Sequence, residues 1–496
     1  MAGHGRVAGR RPPLVVLVAL SLLLAMAAAA CTGGDGGGGS SAPPESRDVQ
    51  RYGGPPVRGA ANPIGLKWDW PNLDRYLPFV KDLAGGATFY EFEWCRVEPR
   101  QGQRDWETLD GVVRSSQRLG YGMLLKIRVG SCWVTGGRRG EERGEKRKTI
   151  SAMPQDLDAY QAFVRDVVGR YRPLGVRRYA IENEVNARNF WAGTPADYEQ
   201  LLRLGSRAVH AADPEAEVLD SGIASPIYGT AIAARLLEQG RHGEAVAAYQ
   251  RYYARRGTQY RPVKTVEDLR TVLRRDLVRR GLDYLAATQR LAREQAFDVY
   301  QLHFYEPWDN VPALLDYLRQ TLPPTMPVEA WEVGMFWRGG PEDQRNDQRL
   351  RAGEAVKVVS LLLAGGVRRV TWLPTGAHDE GDGEGELHFG LLGGDGRLRP
   401  AGEAVRRLAA SAAGTTWKGV SAGQTSGVAF GKGDKTTLVV WSDQGAVLRG
   451  AAPSNATAST LAGAPVPWGA DGLRLGAEPV LISAPLSLEE AARLTR

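Results

Sequence analysis

The chain has 496 residues, with 63 Lys+Arg against 56 Asp+Glu, a formal net charge of +7, 43% hydrophobic and 24% charged residues. That is globular composition, which excludes a disordered, collagenous or polytopic membrane chain and leaves room for two or three domains or one α/β barrel with an appendage. The basic excess is small and interspersed, so no nucleic-acid partner is expected, and three cysteines exclude a disulfide-dense mini-domain or a Cys-rich zinc module.

Residues 1–13 are basic, and Leu14–Ala30 is an apolar run interrupted only by Ser21. This pattern reads as a secretory signal over residues 1–30. Cys31 follows Ala28-Ala29-Ala30 and resembles the lipobox of bacterial lipoproteins, whose cysteine is diacylated after cleavage. Ala28 stands where the lipobox usually has Leu. Residues 31–61 are rich in Gly, Ser and Pro with almost no apolar content, and are expected to form a flexible tether. The expected location is extracytoplasmic, lipid-anchored to the bacterial cell membrane or secreted. In such an oxidising compartment Cys95 and Cys132 are a candidate disulfide. Each lies just past one of two consecutive predicted strands, and neighbouring strands run about 5 Å apart.

From Pro63 to about Leu408 the pattern alternates between short apolar runs and amphipathic stretches. The predicted strands are Pro63–Lys67, Thr88–Glu93, Met123–Ile127, Arg178–Asn183, Glu217–Leu219, Asp298–His303, Val328–Trp331 and Val367–Trp372. Helices are predicted over Trp106–Leu119, Leu157–Tyr171, Ala196–Ala212, Val311–Leu322 and Gln348–Leu363. Eight strands separated by helices predict a parallel sheet closed into a (β/α)8 TIM barrel over 62–410. Residues 226–296 hold several Arg- and Ala-rich amphipathic stretches and read as a helical insertion on that barrel. After residue 411 short alternating runs such as Thr436–Trp441 and Val480–Ser483 predict a small all-β sandwich to residue 496.

Active sites of such barrels form at the C-terminal ends of the strands. The fourth predicted strand ends in Glu182-Asn183-Glu184, the seventh in Trp331-Glu332-Val333-Gly334. Retaining cleavage of a glycosidic bond needs two carboxyl groups roughly 5–5.5 Å apart, one an acid and one a nucleophile. The Asn183-Glu184 pair and the Glu332-Val333-Gly334 run resemble the two signatures of clan A glycoside hydrolases, notably families 39, 5 and 42. Further segments fit in order: Trp94-Cys95-Arg96-Val97-Glu98-Pro99, Ala212-Asp213-Pro214, and His303-Phe304-Tyr305. The resemblance covers about residues 63–410. It implies Glu184 as acid/base, Glu332 as nucleophile, Asn183 as donor to the sugar 2-hydroxyl, and Tyr305 beside His303 as the residue that orients the nucleophile. It also implies a sugar platform at Trp372.

Clan members usually place an Arg in the second strand near the nucleophile; here that strand reads Thr88-Phe89-Tyr90-Glu91-Phe92-Glu93. Glu182 lies two residues from Glu184, hence on the same face of a regular strand, and stays open as an alternative acid. Glu329, three residues before Glu332, is expected on the opposite face as a peripheral charge. Trp68, Trp70, Trp133, Trp191, Trp308 and Trp337 fall at or beyond strand ends, and indoles suit a glycan-binding mouth. Trp68, Trp133 and Trp308 are the candidates for substrate contact, the rest for packing. Arg138–Lys148 and the acidic residues Asp379–Glu386 read as solvated loops. No metal or other cofactor is expected, and the expected partner is an oligosaccharide or glycoside bound by a monomer. A non-catalytic surface glycan-binding lipoprotein on the same barrel is the alternative function.

Overall fold

The computed structural model describes residues 57–495 apart from 59–60, 69, 71–72, 84, 137–141, 144–147, 257–259, 336–343, 345–346, 377–389 and 394. The signal, Cys31, Trp337 and the Asp379–Glu386 loop lie outside these residues. Among the described residues no helix is long and apolar enough to cross a membrane.

The apolar runs become parallel strands β1 Ile64–Leu66, β2 Ala87–Glu93, β3 Gly122–Arg128, β4 Arg178–Ile181, β5 Glu217–Leu219, β6 Tyr300–Phe304, β7 Val328–Val333 and β8 Val370–Trp372. Strands β2-β3-β4-β5 form one parallel sheet and β6-β7-β8-β1 another. Parallel bridges Leu219↔Val299 and Ile223↔Leu302 join β5 to β6. Across the other seam β1 and β2 approach so closely that a Cβ on Gly65 would lie 2.0 Å from the Ala87 carbonyl oxygen. Glycine is therefore required there, and the eight strands close into a barrel.

Alternation divides the strand side chains between two apolar regions. Ala87, Phe89, Leu124, Ala180, Leu219, Val299 and Trp331 form a buried cluster inside the barrel. The intervening residues, such as Ile64, Leu66, Phe92, Ile127, Ile181 and Leu302, join the larger core beneath the helices. Helix starts are set by side-chain caps; Thr194, for example, accepts from the Asp197 amide while Asp197 reaches back to Thr194, opening the helix Pro195–Ala212. The predicted insertion is helical: Pro226–Glu238 is followed by His242–Tyr252, Val266–Leu273 and Asp276–Arg293.

Cys95 and Cys132 are joined in a disulfide, Cα atoms 5.6 Å apart, tying the segments after β2 and β3. The bridge spans 37 residues, for which chain entropy gives about 4 kcal/mol. Replacing both cysteines by Ser should lower the urea midpoint accordingly, and an unchanged midpoint would show that the bridge contributes nothing.

Beyond the helix Pro400–Ala412 come β9 Thr416–Gly419, β10 Ser426–Lys432, β11 Lys435–Trp441, β12 Ala446–Arg449, β13 Thr457–Thr460, β14 Gly472–Leu475 and β15 Val480–Ala484. The main sheet runs β9-β10-β11-β15-β13, with β12 and β14 paired separately. Val57–Arg58, within the segment read as tether, pairs antiparallel with Thr416–Trp417 and forms the sheet's outer strand. Period-two alternation is visible in β11: Leu438 and Val440 enter a small core with Leu448, Leu473 and Leu488, while Val439 and Trp441 face the barrel's core.

That second face covers the helix Gln348–Ala364, which is buried continuously from Arg351 to Leu363. Two charged residues within the buried stretch are paired: Glu354 with Arg255 at 2.7 Å and Lys357 with Asp443 at 2.7 Å. Trp417 is fully buried, its indole N–H donating to the Leu363 carbonyl at 3.2 Å. Trp417→Ala should therefore destabilise the chain by about 3–5 kcal/mol, measured by chemical denaturation; a loss below 1 kcal/mol would contradict this packing.

Candidate active site

The end of β4 departs from regular strand geometry. Glu182 (φ 69°) and Glu184 (φ 42°) both adopt left-handed backbone conformations, which cost non-glycine residues roughly 1–3 kcal/mol each. Neighbouring strands hold them there, with the Glu182 amide donating to Ile127 O at 2.9 Å and the Glu184 amide to Ser221 O at 3.1 Å. The kink sends the two carboxylates apart. Glu182 is fully buried; its Oε1 accepts from the Val129 amide at 2.7 Å and its Oε2 lies 3.5 Å from Arg128 Nε. Burial pushes its carboxyl up to about 7, against the lowering by Arg128 and the Val129 amide. Sealed in this way, Glu182 reaches no substrate, whereas Glu184 is partly exposed and 3.0 Å from His303 Nδ1.

On β7 the register slips between Ala330, paired with Leu302, and Glu332, paired with His303. This bulge brings Glu332 beside His303 although Trp331 already points into the barrel. Glu329 is consequently not a peripheral charge. It is buried low in the barrel, accepting from the Trp331 indole at 2.9 Å and lying 3.3 Å from Arg178.

Glu332 is 8% exposed. Its Oε2 accepts from the Tyr305 hydroxyl at 2.9 Å and lies 3.5 Å from His303 Nδ1; its Oε1 accepts from Lys126 Nζ at 2.5 Å. Burial alone would raise the Glu332 carboxyl, but the adjacent His303 ring and the Lys126 ammonium hold it well below the usual carboxylate range. A carboxylate oxygen of Glu184, a ring nitrogen of His303 and a carboxylate oxygen of Glu332 all lie within 4.8 Å of one another. Such a set could share a divalent cation, yet Glu332 already faces the ammonium of Lys126. Two glycines make room for this arrangement. A Cβ on Gly222 (φ 65°) would lie 2.2 Å from His303 Nε2, and one on Gly334 would lie 2.4 Å from the Leu373 carbonyl oxygen and 3.1 Å from the Tyr305 ring.

The structure brings Glu184, Glu332, Asn183, His303 and Tyr305 together. Of the tryptophans expected at the sugar, Trp372, Trp68 and Trp308 are packed elsewhere. Trp372 is fully buried in the helix-facing core, because Thr371 and Leu373 take the inward positions of that strand. Trp68 is likewise buried on the outer side, 4.8 Å from Trp70 and 5.0 Å from Tyr121 between ring centroids. Trp308 packs edge-on against Trp441 of the C-terminal sheet at 6.1 Å, with Lys357 Nζ 4.1 Å from its ring centre. Trp133 is partly exposed on the disulfide-bearing loop, packed on Trp94 and donating to Glu98 O at 2.8 Å. Trp191 is buried packing.

Lys126 was not foreseen. It lies in β3, and a charge inside the predicted apolar strand Met123–Ile127 is the signal that could have marked it. Arg128, two residues on and also facing inward, binds Glu91 at 3.0 Å and Glu93 at 3.2 Å and completes the wall behind Glu182.

No family model matches the chain, and no curated protein matches it in sequence. Solved structures do. The chain is similar to a family 39 glycoside hydrolase from the gut symbiont Bacteroides cellulosilyticus, with a TM-score of 0.58, 18% identity, and coverage of 85% of this chain and 81% of that one. It is also similar to a family 39 beta-xylosidase from Caulobacter crescentus, with a TM-score of 0.53, 13% identity, and coverage of 87% of this chain and 97% of that one. At these identities the likeness establishes the fold alone: a (β/α)8 barrel with a C-terminal β domain, as in the two glycoside hydrolase structures just named.

Proposed function

We propose that this chain is an exported, lipid-anchored glycoside hydrolase that cleaves O-glycosidic bonds with retention of configuration. The observation that carries the reading is the convergence of Glu184, His303 and Glu332 oxygen and nitrogen atoms within 4.8 Å, which fits a double displacement at one anomeric carbon. Glu332, kept ionised by its neighbours, attacks that carbon. Glu184 gives its proton to the departing oxygen as the C–O bond breaks. Water then attacks the glycosyl ester, Glu184 takes the water's proton, and Glu332 leaves as a carboxylate. The Tyr305 hydroxyl and the Lys126 ammonium fix the two oxygens of the nucleophile, and in this reading Asn183 donates to the neighbouring sugar hydroxyl.

A panel of aryl glycosides tests this reading. Xylosides come first, because a solved protein of similar fold is a beta-xylosidase. The expected result is turnover of at least one aryl sugar, with NMR showing the initial product in the substrate's configuration. Silence on every sugar together with retained oligosaccharide binding would establish a glycan-binding protein instead. Export and anchoring rest on residues 1–30 and Cys31; metabolic labelling with a fatty acid, lost in Cys31→Ser, checks them.

A further inference from the structure

We propose that Lys126 is the positioning residue that supplies the cation for the nucleophile, in place of the Arg that clan members carry on the second strand. The inference rests on the glycosidase reading of the same site. Lys126 is completely buried, and its Nζ lies 2.5 Å from Glu332 Oε1, 2.9 Å from Asn183 Oδ1 and 3.4 Å from His303 Nε2. An ammonium has three protons and no acceptor, and here two of them meet oxygens, Asn183 Oδ1 at the end of β4 and Glu332 Oε1 on β7, while the His303 ring of β6 lies alongside. The ring of Phe89 closes the remaining side, with its centroid 4.4 Å from the nitrogen.

The second strand explains why the charge comes from β3. Glu91 occupies the inward position in register with Lys126 and is engaged by Arg128 at 3.0 Å. That strand therefore presents an acid to the site, where an Arg would have presented a base. A buried lysine without a partner would be costly; facing Glu332, it ties its own burial to the ionisation of the nucleophile. The charged and titratable groups facing Glu332 are Lys126 from β3, His303 from β6 and Tyr305 just after it, Glu184 from the end of β4, and Glu91 from β2.

Lys126→Met removes the charge at similar length, and Lys126→Gln keeps a donor without the charge. Both are expected to lower kcat by about 10²–10³-fold with little change in KM, and to move the acidic limb of the kcat/KM profile to higher pH. The sign follows from Glu332: without the neighbouring cation its carboxylate is harder to form, so more base is needed before the nucleophile is ready. Wild-type kcat and an unmoved acidic limb in either variant would overturn the proposal. A purely structural lysine could lower activity through misfolding but would not shift that limb. Side-chain ¹³C NMR of glutamate-labelled wild-type protein, with the Glu332 signal assigned by Glu332→Gln, gives a reading that needs neither turnover nor a folded Lys126 variant. The proposal expects Glu332 to titrate well below an ordinary glutamate and is overturned if it titrates at or above one. Absence of wild-type turnover, by contrast, counts against the glycosidase reading alone.

Discussion

Glu332→Gln is expected to abolish glycoside turnover, by at least about 10⁴-fold in kcat, since a step without its nucleophile has no comparable route. The side chain keeps its volume, and the amide can still meet Tyr305 and Lys126, which now lie 2.9 and 2.5 Å from its two carboxylate oxygens. The fold and sugar binding should therefore survive, which circular dichroism and calorimetry with an oligosaccharide would verify. A 2-fluoro aryl glycoside should add one sugar mass to the wild type, on the peptide containing Glu332, and none to the variant. Residual activity above a few per cent, or an adduct elsewhere, would remove Glu332 from the mechanism.

Glu184→Ala should behave differently. Loss of a general acid costs roughly 10²–10⁴-fold when the leaving oxygen must be protonated, and much less when the leaving group departs as a stable phenolate. The variant should therefore lose activity on alkyl glycosides and disaccharides while still forming the covalent intermediate from dinitrophenyl glycosides. Its slow step becomes hydrolysis of that intermediate, because water has lost its base. Added azide, which needs no base, should restore turnover and yield a glycosyl azide of retained configuration. An equal loss on every leaving group, unrelieved by azide, would show that Glu184 does not move the proton. Glu182→Gln provides the contrast. Its carboxyl is buried against Arg128 and the Val129 amide, so azide should have no effect on that variant.

Much of this site was legible because its chemistry interrupts apolar runs. The strand ends around Glu184 and Glu332 announced themselves as carboxylates following Ala180-Ile181 and Ala330-Trp331. What stayed hidden was phase. Strands of a barrel are buried on both faces, so a run such as Val370-Thr371-Trp372-Leu373 carries no polar alternation to say which side faces inward. The resemblance implied a sugar platform at Trp372, and nothing in that run spoke against it. The bulge in β7 and the left-handed residues in β4 break simple counting, so Glu329 could not be placed by its spacing from Glu332, nor Glu182 by its spacing from Glu184. Lys126 was missed because a strand was assigned from its apolar neighbours and the one charge within it was passed over. Trp308 was misread because its partner, Trp441, lies more than a hundred residues away in the other domain.

The helix Gln348–Ala364 bears on how this architecture can be cut and recombined. Its inner side serves the cylinder and its outer side serves the C-terminal sheet, so the seam between the two domains runs through a helix shared by both. Ending an expression fragment near residue 410 would leave bare the surface that Trp417, Phe430 and Trp441 now cover. A chimera that imports another protein's terminal domain would need to import a matching helix between β7 and β8 as well. The appendage and the barrel therefore share one continuous core through that helix.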